Sequence, residues 1–124
     1  KQAVADTLEN YRLAVVQRDT RTLRALAHDS YYENGSTTVD ASDDYDRNGF
    51  EKVLTELKED VRAVKYDIDI TDIEIVKNIA RVDVEYRGQY LFVTAGQERW
   101  ATAADKNRIT LRKENGSWRI LSGM

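Results

Sequence analysis

Residues 44 to 51, DYDRNGFE, place oxygen-bearing side chains at a spacing that could hold a calcium ion. A calcium loop between two helices has ligands at its positions one, three and five, a glycine at six and a bidentate glutamate at twelve. If Asp44 takes position one, then Asp46, Asn48 and Gly49 fall at positions three, five and six. The first half of such a loop is therefore present.

The second half of the calcium pattern does not match. Position twelve is Thr55, and Glu56 misses it by one residue. Calcium binding would then need help from other carboxylates, namely Asp40, Asp43 or Glu51. The competing interpretation needs no ion, because Asn48 or Asp46 can cap a helix that begins near Phe50, and acidic side chains stabilise its positive end. We favour the helix cap and predict no metal site.

The chain has one histidine, His28, and no cysteine. This excludes zinc sites of the Cys/His type and any disulfide framework. A catalytic histidine needs an orienting partner, and Asp29 beside it points elsewhere on a helix. We therefore interpret His28 as interacting with the end of a helix. The formal net charge of −3 gives no basic field for phosphates, so nucleic acid is not predicted as a partner.

Helical periodicity dominates the first half of the chain. Residues 3 to 18 form a predicted amphipathic helix whose apolar stripe is Val4, Leu8, Tyr11 and Val15. A second, short helix is predicted from Asp19 or Thr20 to near His28. The third predicted helix has one apolar face made of Phe50, Val53, Leu54, Leu57, Val61 and Val64.

The period changes to two from Tyr66 onward, which predicts strands. The alternation slips one residue near Thr71 and Asp72, as at a β-bulge. Turns are predicted at 77 and 78, at TAGQ and at ENGS, and a long strand from Glu98 to Lys113. Three helices followed by a four-stranded antiparallel meander predict an α+β domain with the helices on one face of a curved sheet.

This order of elements, closed by ENGSWRILSG, resembles the nuclear transport factor 2-like superfamily, and within it the SnoaL-like and ketosteroid-isomerase-like bacterial branch. The likeness covers nearly the whole chain. It implies one cone-shaped domain, residues 1-124, in which three N-terminal helices and a curved, mainly antiparallel four-stranded sheet enclose a pocket. It implies no single function, because the superfamily includes isomerases, dehydratases, transport factors and pure binding modules.

An isomerase-like site can be looked for in YRLAVVQRD. The spacing from Tyr11 to Asp19 matches the isomerase helix that carries an oxyanion-stabilising tyrosine. Moving a proton next to a carbonyl also needs a carboxylate base. Counting on without gaps places Gly35 at the base position, with Glu33 the nearest carboxylate. An isomerase or dehydratase using Tyr11 with Glu33 or Asp105 is therefore an alternative function.

Strand parity predicts a polar inner wall. If Ile109 and Leu111 face the helices, then Asn107, Asp105 and Arg99 share that face. Such groups either line a wet pocket or pair with each other in a buried network, and both alternatives stay open. The predicted ligand-binding residues are Tyr11, Tyr86, Tyr90, Arg99, Asp105, Asn107 and Trp118.

This set lacks a complete acid/base pair, so we predict a non-catalytic module that binds a small apolar or aromatic molecule, or a peptide, without a cofactor. A ligand-free structural or scaffolding subunit is a further alternative. The opposite strand parity places Trp100 outward near Leu91 and Val93, which predicts a homodimer through the sheet, with the charged residues 81 to 87 at the rim.

No apolar run in the sequence is long enough to cross a bilayer. The chain starts at Lys1 without methionine, which is typical of a processed product. If a leader was removed, we expect a bacterial periplasmic or cell-envelope protein, and otherwise a cytoplasmic one.

Overall fold

Three helices occur among the residues that the computed structural model describes, which are 1–33 and 45–123. They are α1 (Gln2–Gln17), α2 (Thr20–Leu26) and α3 (Arg47–Glu59). The predicted stripe of α1 is buried. Asp19 caps α2, since its carboxylate accepts hydrogen bonds from the Thr22 N–H at 3.2 Å and the Thr22 hydroxyl at 2.6 Å. The second predicted helix is thus confirmed, with its end two residues earlier than expected.

The third helix both begins and ends earlier than predicted. It starts at Arg47, so Asn48 lies inside the first turn and is not the cap. The preceding residue is Asp46, whose side chain lies outside the described part of the structure. Val61 and Val64 belong to a strand instead of the helix. A bulge between Val61 and Ala63 shifts the alternation of the strand by one residue. Val61 and Val64 are therefore buried on the same face although they are three residues apart, a spacing that is also typical of a helix.

Two sheets are formed by the described residues. A short pair joins β1 (Tyr32–Glu33) to β2 (Tyr45–Asp46). The main sheet contains β3 (Val61–Val76), β4 (Ile79–Thr94), β5 (Gln97–Glu114) and β6 (Ser117–Ser122). Its strands are antiparallel and follow the chain order, so the sheet is an unclosed meander. The predicted α+β architecture is confirmed.

The predicted turns and the bulge are present. The β3–β4 register shifts between Ile70 and Asp72, as the slipped alternation indicated. The three hairpin turns each have a left-handed residue that is not glycine: Lys77 at φ 55°, Ala95 at φ 52° and Asn115 at φ 52°. Each of these turns connects two neighbouring strands of the main sheet.

The core lies between the helices and one face of the sheet, which we call the inner face. Val82 and Val84 from β4, Leu111 from β5 and Ile120 from β6 are buried there. The helices contact β3 and β6, while the stretch of β5 from 97 to 107 extends beyond them and is exposed except at Ala101, which is half-buried. Within the described ranges, no helix combines the length and the apolar character that a membrane span requires.

Candidate functional site

A cleft of about 320 Å³ opens to solvent between the helices and the inner face of the sheet. Helix α3 supplies one wall through Phe50, Val53, Leu54, Glu56 and Leu57. The sheet supplies the facing wall through Val61, Tyr90 and Phe92. Tyr11, Val15 and Leu23 complete the lining from α1 and α2. This volume lies at the small end of the range typical of small-molecule sites.

Helical and strand periodicity bring these walls together. Phe50, Leu54 and Leu57 repeat at helical spacing, so α3 turns them toward the sheet. Tyr90 and Phe92 have the same parity along β4 as the buried Val84, so they point toward the helices.

The start of α3 is fixed by an aromatic contact. The buried Tyr31 ring packs on the Phe50 ring with their centroids 4.9 Å apart. Phe50 thereby links the residue before β1 to the cleft wall.

A row of tyrosines extends from Tyr11, which lines the cleft, along the sheet to Tyr66 and Tyr86. The Tyr11 and Tyr66 hydroxyl oxygens are 3.4 Å apart, and their rings meet edge to face with centroids 5.9 Å apart. The Tyr66 ring lies 6.2 Å from the Tyr86 ring. Tyr11 is only 6% exposed, so this hydroxyl pair is removed from water.

Burial keeps these phenols protonated. It raises the pKa of Tyr11 well above its usual value and also raises the pKa of Tyr66. Burial, with smaller contributions from Tyr66 and Tyr86, raises the pKa of Tyr90 to about 12. Near neutral pH these groups are hydrogen-bond donors and acceptors rather than bases, because no anionic phenolate is populated.

Gly88 allows the Tyr90 ring to take its position. A Cβ at Gly88 would lie 2.9 Å from Tyr90 Cε2, 2.9 Å from Tyr90 Oη and 3.1 Å from Tyr66 Cδ1. These distances are shorter than the 3.5 to 4.0 Å of a good carbon–carbon contact. The absent side chain of Gly88 is therefore a precondition for the wall that Tyr90 forms.

The structure places only two of the predicted ligand residues in the cleft, Tyr11 and Tyr90. Tyr86 is half-buried behind Tyr66. Trp118 is half-buried on β6, with Lys113 Nζ 6.0 Å from its ring centroid.

The predicted polar residues of β5 are on the predicted face but are not enclosed by the helices. Arg99, Asp105 and Asn107 have the expected parity, since they pair with Phe92, Tyr86 and Val84, but all three are exposed. The physical reason is that the helices lie over β3 and β6 and leave this part of β5 uncovered.

The exposed side chains of β5 make local contacts. The Asn107 amide donates to the Gly123 carbonyl at 2.8 Å and holds the strand end of β6. Asp105 Oδ1 accepts the Lys106 N–H at 2.7 Å. Arg99 lines a separate groove of about 470 Å³ beside Phe92.

Sequence reasoning missed the α3 wall and Phe92. The stripe of α3 was identified, and it faces the sheet, so Val53 and Leu57 could have been named as the opposite wall. Phe92 follows from the parity of Val82 and Val84. The apolar periodicity of α3 and β4 therefore marks both walls, whereas the polar residues of β5 do not line the cleft.

His28 contacts a strand and a turn. Its Nδ1 accepts the Ser30 N–H at 3.0 Å, and its Nε2 lies 2.8 Å from Glu114 Oε1. Since Nδ1 is an acceptor, the ring proton is on Nε2, where it faces the carboxylate. The neighbouring His28 ring lowers the pKa of Glu114. We predicted an interaction with a helix end, whereas these ring contacts are made with Ser30 and Glu114.

The calcium pattern is only partly covered by the structure. Asn48 and Gly49 are helical, so this half of the stretch is the start of α3 and not a loop. Asp40, Asp43 and Asp44 lie outside the described residues. Within 1–33 and 45–123, no three acidic, histidine or cysteine side chains are grouped closely enough to hold a metal ion.

The outer face of the sheet has one aromatic patch, made of Trp100, Leu91 and Val93. Trp100 pairs directly with Leu91, and Val93 pairs with Glu98. The Trp100 side chain is 49% exposed, whereas Leu91 opposite it on β4 is buried. Lys65 Nζ lies 5.4 Å from the Trp100 ring centroid. The predicted outward parity of Trp100 and Leu91 is therefore confirmed.

The same fold occurs in solved structures of low sequence identity. A conserved protein from Planctomyces limnophilus aligns over 98% of this chain and 91% of its own, with a TM-score of 0.83 and 14% identity. A nuclear transport factor 2-like superfamily protein from Salmonella enterica aligns over 98% and 86%, with a TM-score of 0.76 and 14% identity. A hexachlorocyclohexane dehydrochlorinase aligns over 98% and 80%, with a TM-score of 0.75 and 13% identity.

No family model and no curated protein matches the chain in sequence. At these identities the structural likeness establishes the fold alone, which is the nuclear transport factor 2-like cone. The predicted resemblance to that superfamily is thus confirmed at the level of fold. Proteins with this fold include enzymes and binding proteins, so the role of this chain has to be argued from its own cleft.

Proposed function

We propose that this protein is a non-catalytic module that binds a small apolar or aromatic molecule in the cleft between α3 and the sheet. The observation that carries the proposal is the lining of that cleft. Apart from Glu56 at the mouth, it is aliphatic and aromatic, with the hydroxyls of Tyr11 and Tyr90 as neutral polar groups. Such a combination binds apolar bodies by burial and orients them through few hydrogen bonds.

The chemistry of the cleft favours binding over proton transfer. A phenol whose pKa is raised, as in Tyr11, can stabilise a developing oxyanion, but a carboxylate base must face it. Asp105 is exposed on the uncovered part of β5, so it is a poor partner. The Glu33 side chain lies outside the described part of the structure, so an isomerase or dehydratase using Tyr11 and Glu33 stays the alternative.

A cleft-filling substitution tests the binding proposal. Val53 lines the cleft and is 43% exposed, so Val53→Trp places a ring in the mouth without disturbing the core. Thr55→Trp adds the same ring to an exposed position of α3 outside the cleft and serves as the matched control. We expect neutral aromatic ligands to raise the Tm of the wild type and of Thr55→Trp, and to leave Val53→Trp unchanged.

Three results would contradict the binding proposal. Ligands that stabilise Val53→Trp as much as the control would bind elsewhere. Failure of every apolar and aromatic ligand to stabilise the wild type would favour a ligand-free scaffolding subunit. Turnover of a carbonyl substrate that disappears in Tyr11→Phe would favour the enzyme alternative.

We also propose a homodimer in which the outer aromatic patch meets its own copy. Trp100 is half exposed over the buried Leu91, and large exposed aromatic groups are enriched at interface centres. Charged residues of β4 continue along the same face on one side of the patch and form ion pairs there, such as Arg87 with Asp69 and Asp83 with Arg108. They supply a polar rim on that side of the proposed interface.

A further inference from the structure

We propose that the ligand of this cleft is an organic cation, an aromatic or aliphatic body that carries an ammonium group. The inference rests on the proposed binding function and specifies the chemistry of the ligand. It follows from two features of the lining: the aromatic rings and the charge at the mouth.

Glu56 carries the only formal charge among the described residues that line the cleft. Its side chain is exposed at the mouth, whereas the deeper lining is apolar and aromatic. Within the described residues, no cationic side chain forms an ion pair with the Glu56 carboxylate. The carboxylate is therefore available to a ligand that enters between α3 and Phe92.

Glu56 is placed at the negative end of a helix dipole. It lies in the last turn of α3, and the other charged side chains of that turn, Lys58 and Glu59, are exposed and do not line the cleft. Arg18 donates to the Lys58 and Val61 carbonyls at this end, but it does not line the cleft. Among the described residues that line the cleft, none has a positive charge to balance Glu56.

The rings of the cleft favour a cation as well. Tyr11, Phe50, Tyr90 and Phe92 contribute four aromatic side chains to the lining. The face of an aromatic ring attracts a cation, and this attraction strengthens as water is removed. An anionic ligand would be repelled by Glu56 and by any ring face that it met. A neutral ligand gains from burial and from hydrogen bonds to the tyrosine hydroxyls, without attraction to Glu56.

A matched ligand series tests the inference on the folded protein. Phenylpropylammonium, phenylpropanol and phenylpropanoate share one body and differ in the charge of the end group. Dissociation constants are measured by NMR titration in low salt. We expect the ammonium to bind about fivefold more tightly than the alcohol, from the combined strength of an exposed ion pair and a cation–π contact. The anion binds more weakly than the alcohol.

Two α3 variants locate the source of the preference. Glu56→Gln removes the carboxylate from the mouth, and Glu59→Gln removes the same charge from an exposed position outside the cleft. We expect Glu56→Gln to lose most of the ammonium preference while its affinity for the alcohol stays the same. Glu59→Gln keeps the preference. Added salt weakens the ammonium preference of the wild type, because the contact is at the surface.

The outcomes separate this inference from the proposed function. If the alcohol binds in the cleft but the ammonium is not favoured, the cation inference is wrong and the binding function stands. An equal loss of preference in Glu56→Gln and Glu59→Gln would refute the role of Glu56. If none of the three ligands binds at any concentration reached, both the inference and the binding function fail.

Discussion

The contact between Gly88 and Tyr90 leads to a prediction that can be worked out from distances. Gly88→Ala places a methyl group 2.9 Å from the Tyr90 ring edge and hydroxyl, where about 3.5 Å is needed. The Tyr90 ring must move by roughly 0.6 Å or more, because Tyr66 Cδ1 at 3.1 Å closes the other side. The substitution therefore acts on the cleft wall rather than on the backbone.

The expected change in stability is the sum of two opposing effects. Overpacking of this kind costs about 1 to 3 kcal/mol. Gly88 has no positive φ, so alanine fits its backbone and regains about 0.4 to 1 kcal/mol by restricting the unfolded chain. We expect Gly88→Ala to lower the free energy of unfolding by about 1 kcal/mol, which corresponds to a Tm decrease of about 4 °C for a domain of this size.

A double-mutant cycle with Tyr90→Ala is the assay. Free energies of unfolding are measured by urea denaturation for the wild type, both single variants and the double variant. Without the ring, the methyl group has room, so Gly88→Ala should stabilise the Tyr90→Ala background by about 0.5 kcal/mol. The coupling energy is then about 1.5 kcal/mol. A coupling near zero would refute the reasoning, because the methyl group would not be meeting the ring.

The remaining predictions concern charge, assembly and calcium. Glu114→Gln should destabilise the protein above pH 4.5, which is the ordinary pKa of that carboxyl. The difference in free energy of unfolding between wild type and variant should vanish as the pH falls through the lowered pKa of the folded state. Urea denaturation at a series of pH values measures this difference. A difference that grows on acidification would contradict this. In sedimentation equilibrium we expect the wild type and Arg81→Glu to be dimers and Trp100→Glu to be a monomer. A wild type that stays monomeric at high concentration would contradict the proposed interface. Millimolar calcium should leave the Tm unchanged, and a rise that is lost in Asp44→Ala would show a calcium site.

Local periodicity predicted most of the fold because each element follows from neighbouring residues. The stripe of α1, the cap at Asp19 and the Asn-Gly turn at 115 and 116 all depend on chemistry within a few residues. The end of α3 was not predictable in this way, because the bulge after Val61 depends on pairing with β4. A spacing of three fits either a helix or a bulged strand until the partner strand is known.

The cleft was less accessible to sequence reasoning than the fold. Parity gave the correct face for Asp105 and Asn107, but coverage by the helices decides whether that face is buried. Coverage depends on the length of β5 relative to the helices packed across the sheet, which is a long-range property. Tyr11 was found because one helix both carries its side chain and buries it.

The three hairpin turns also determine the order in which the sheet can fold. Asn115, followed by Gly116, takes the left-handed conformation at little cost, whereas Ala95 and Lys77 pay about 1 kcal/mol or more for it. The β5–β6 hairpin is therefore the easiest to nucleate, and the β4–β5 ladder, which bears Phe92 and Trp100, must extend from a less favourable turn. We expect pulsed hydrogen exchange during refolding to show that the amides of β5 and β6 are protected first. The cleft would then form late, after the sheet has begun to assemble at its C-terminal hairpin.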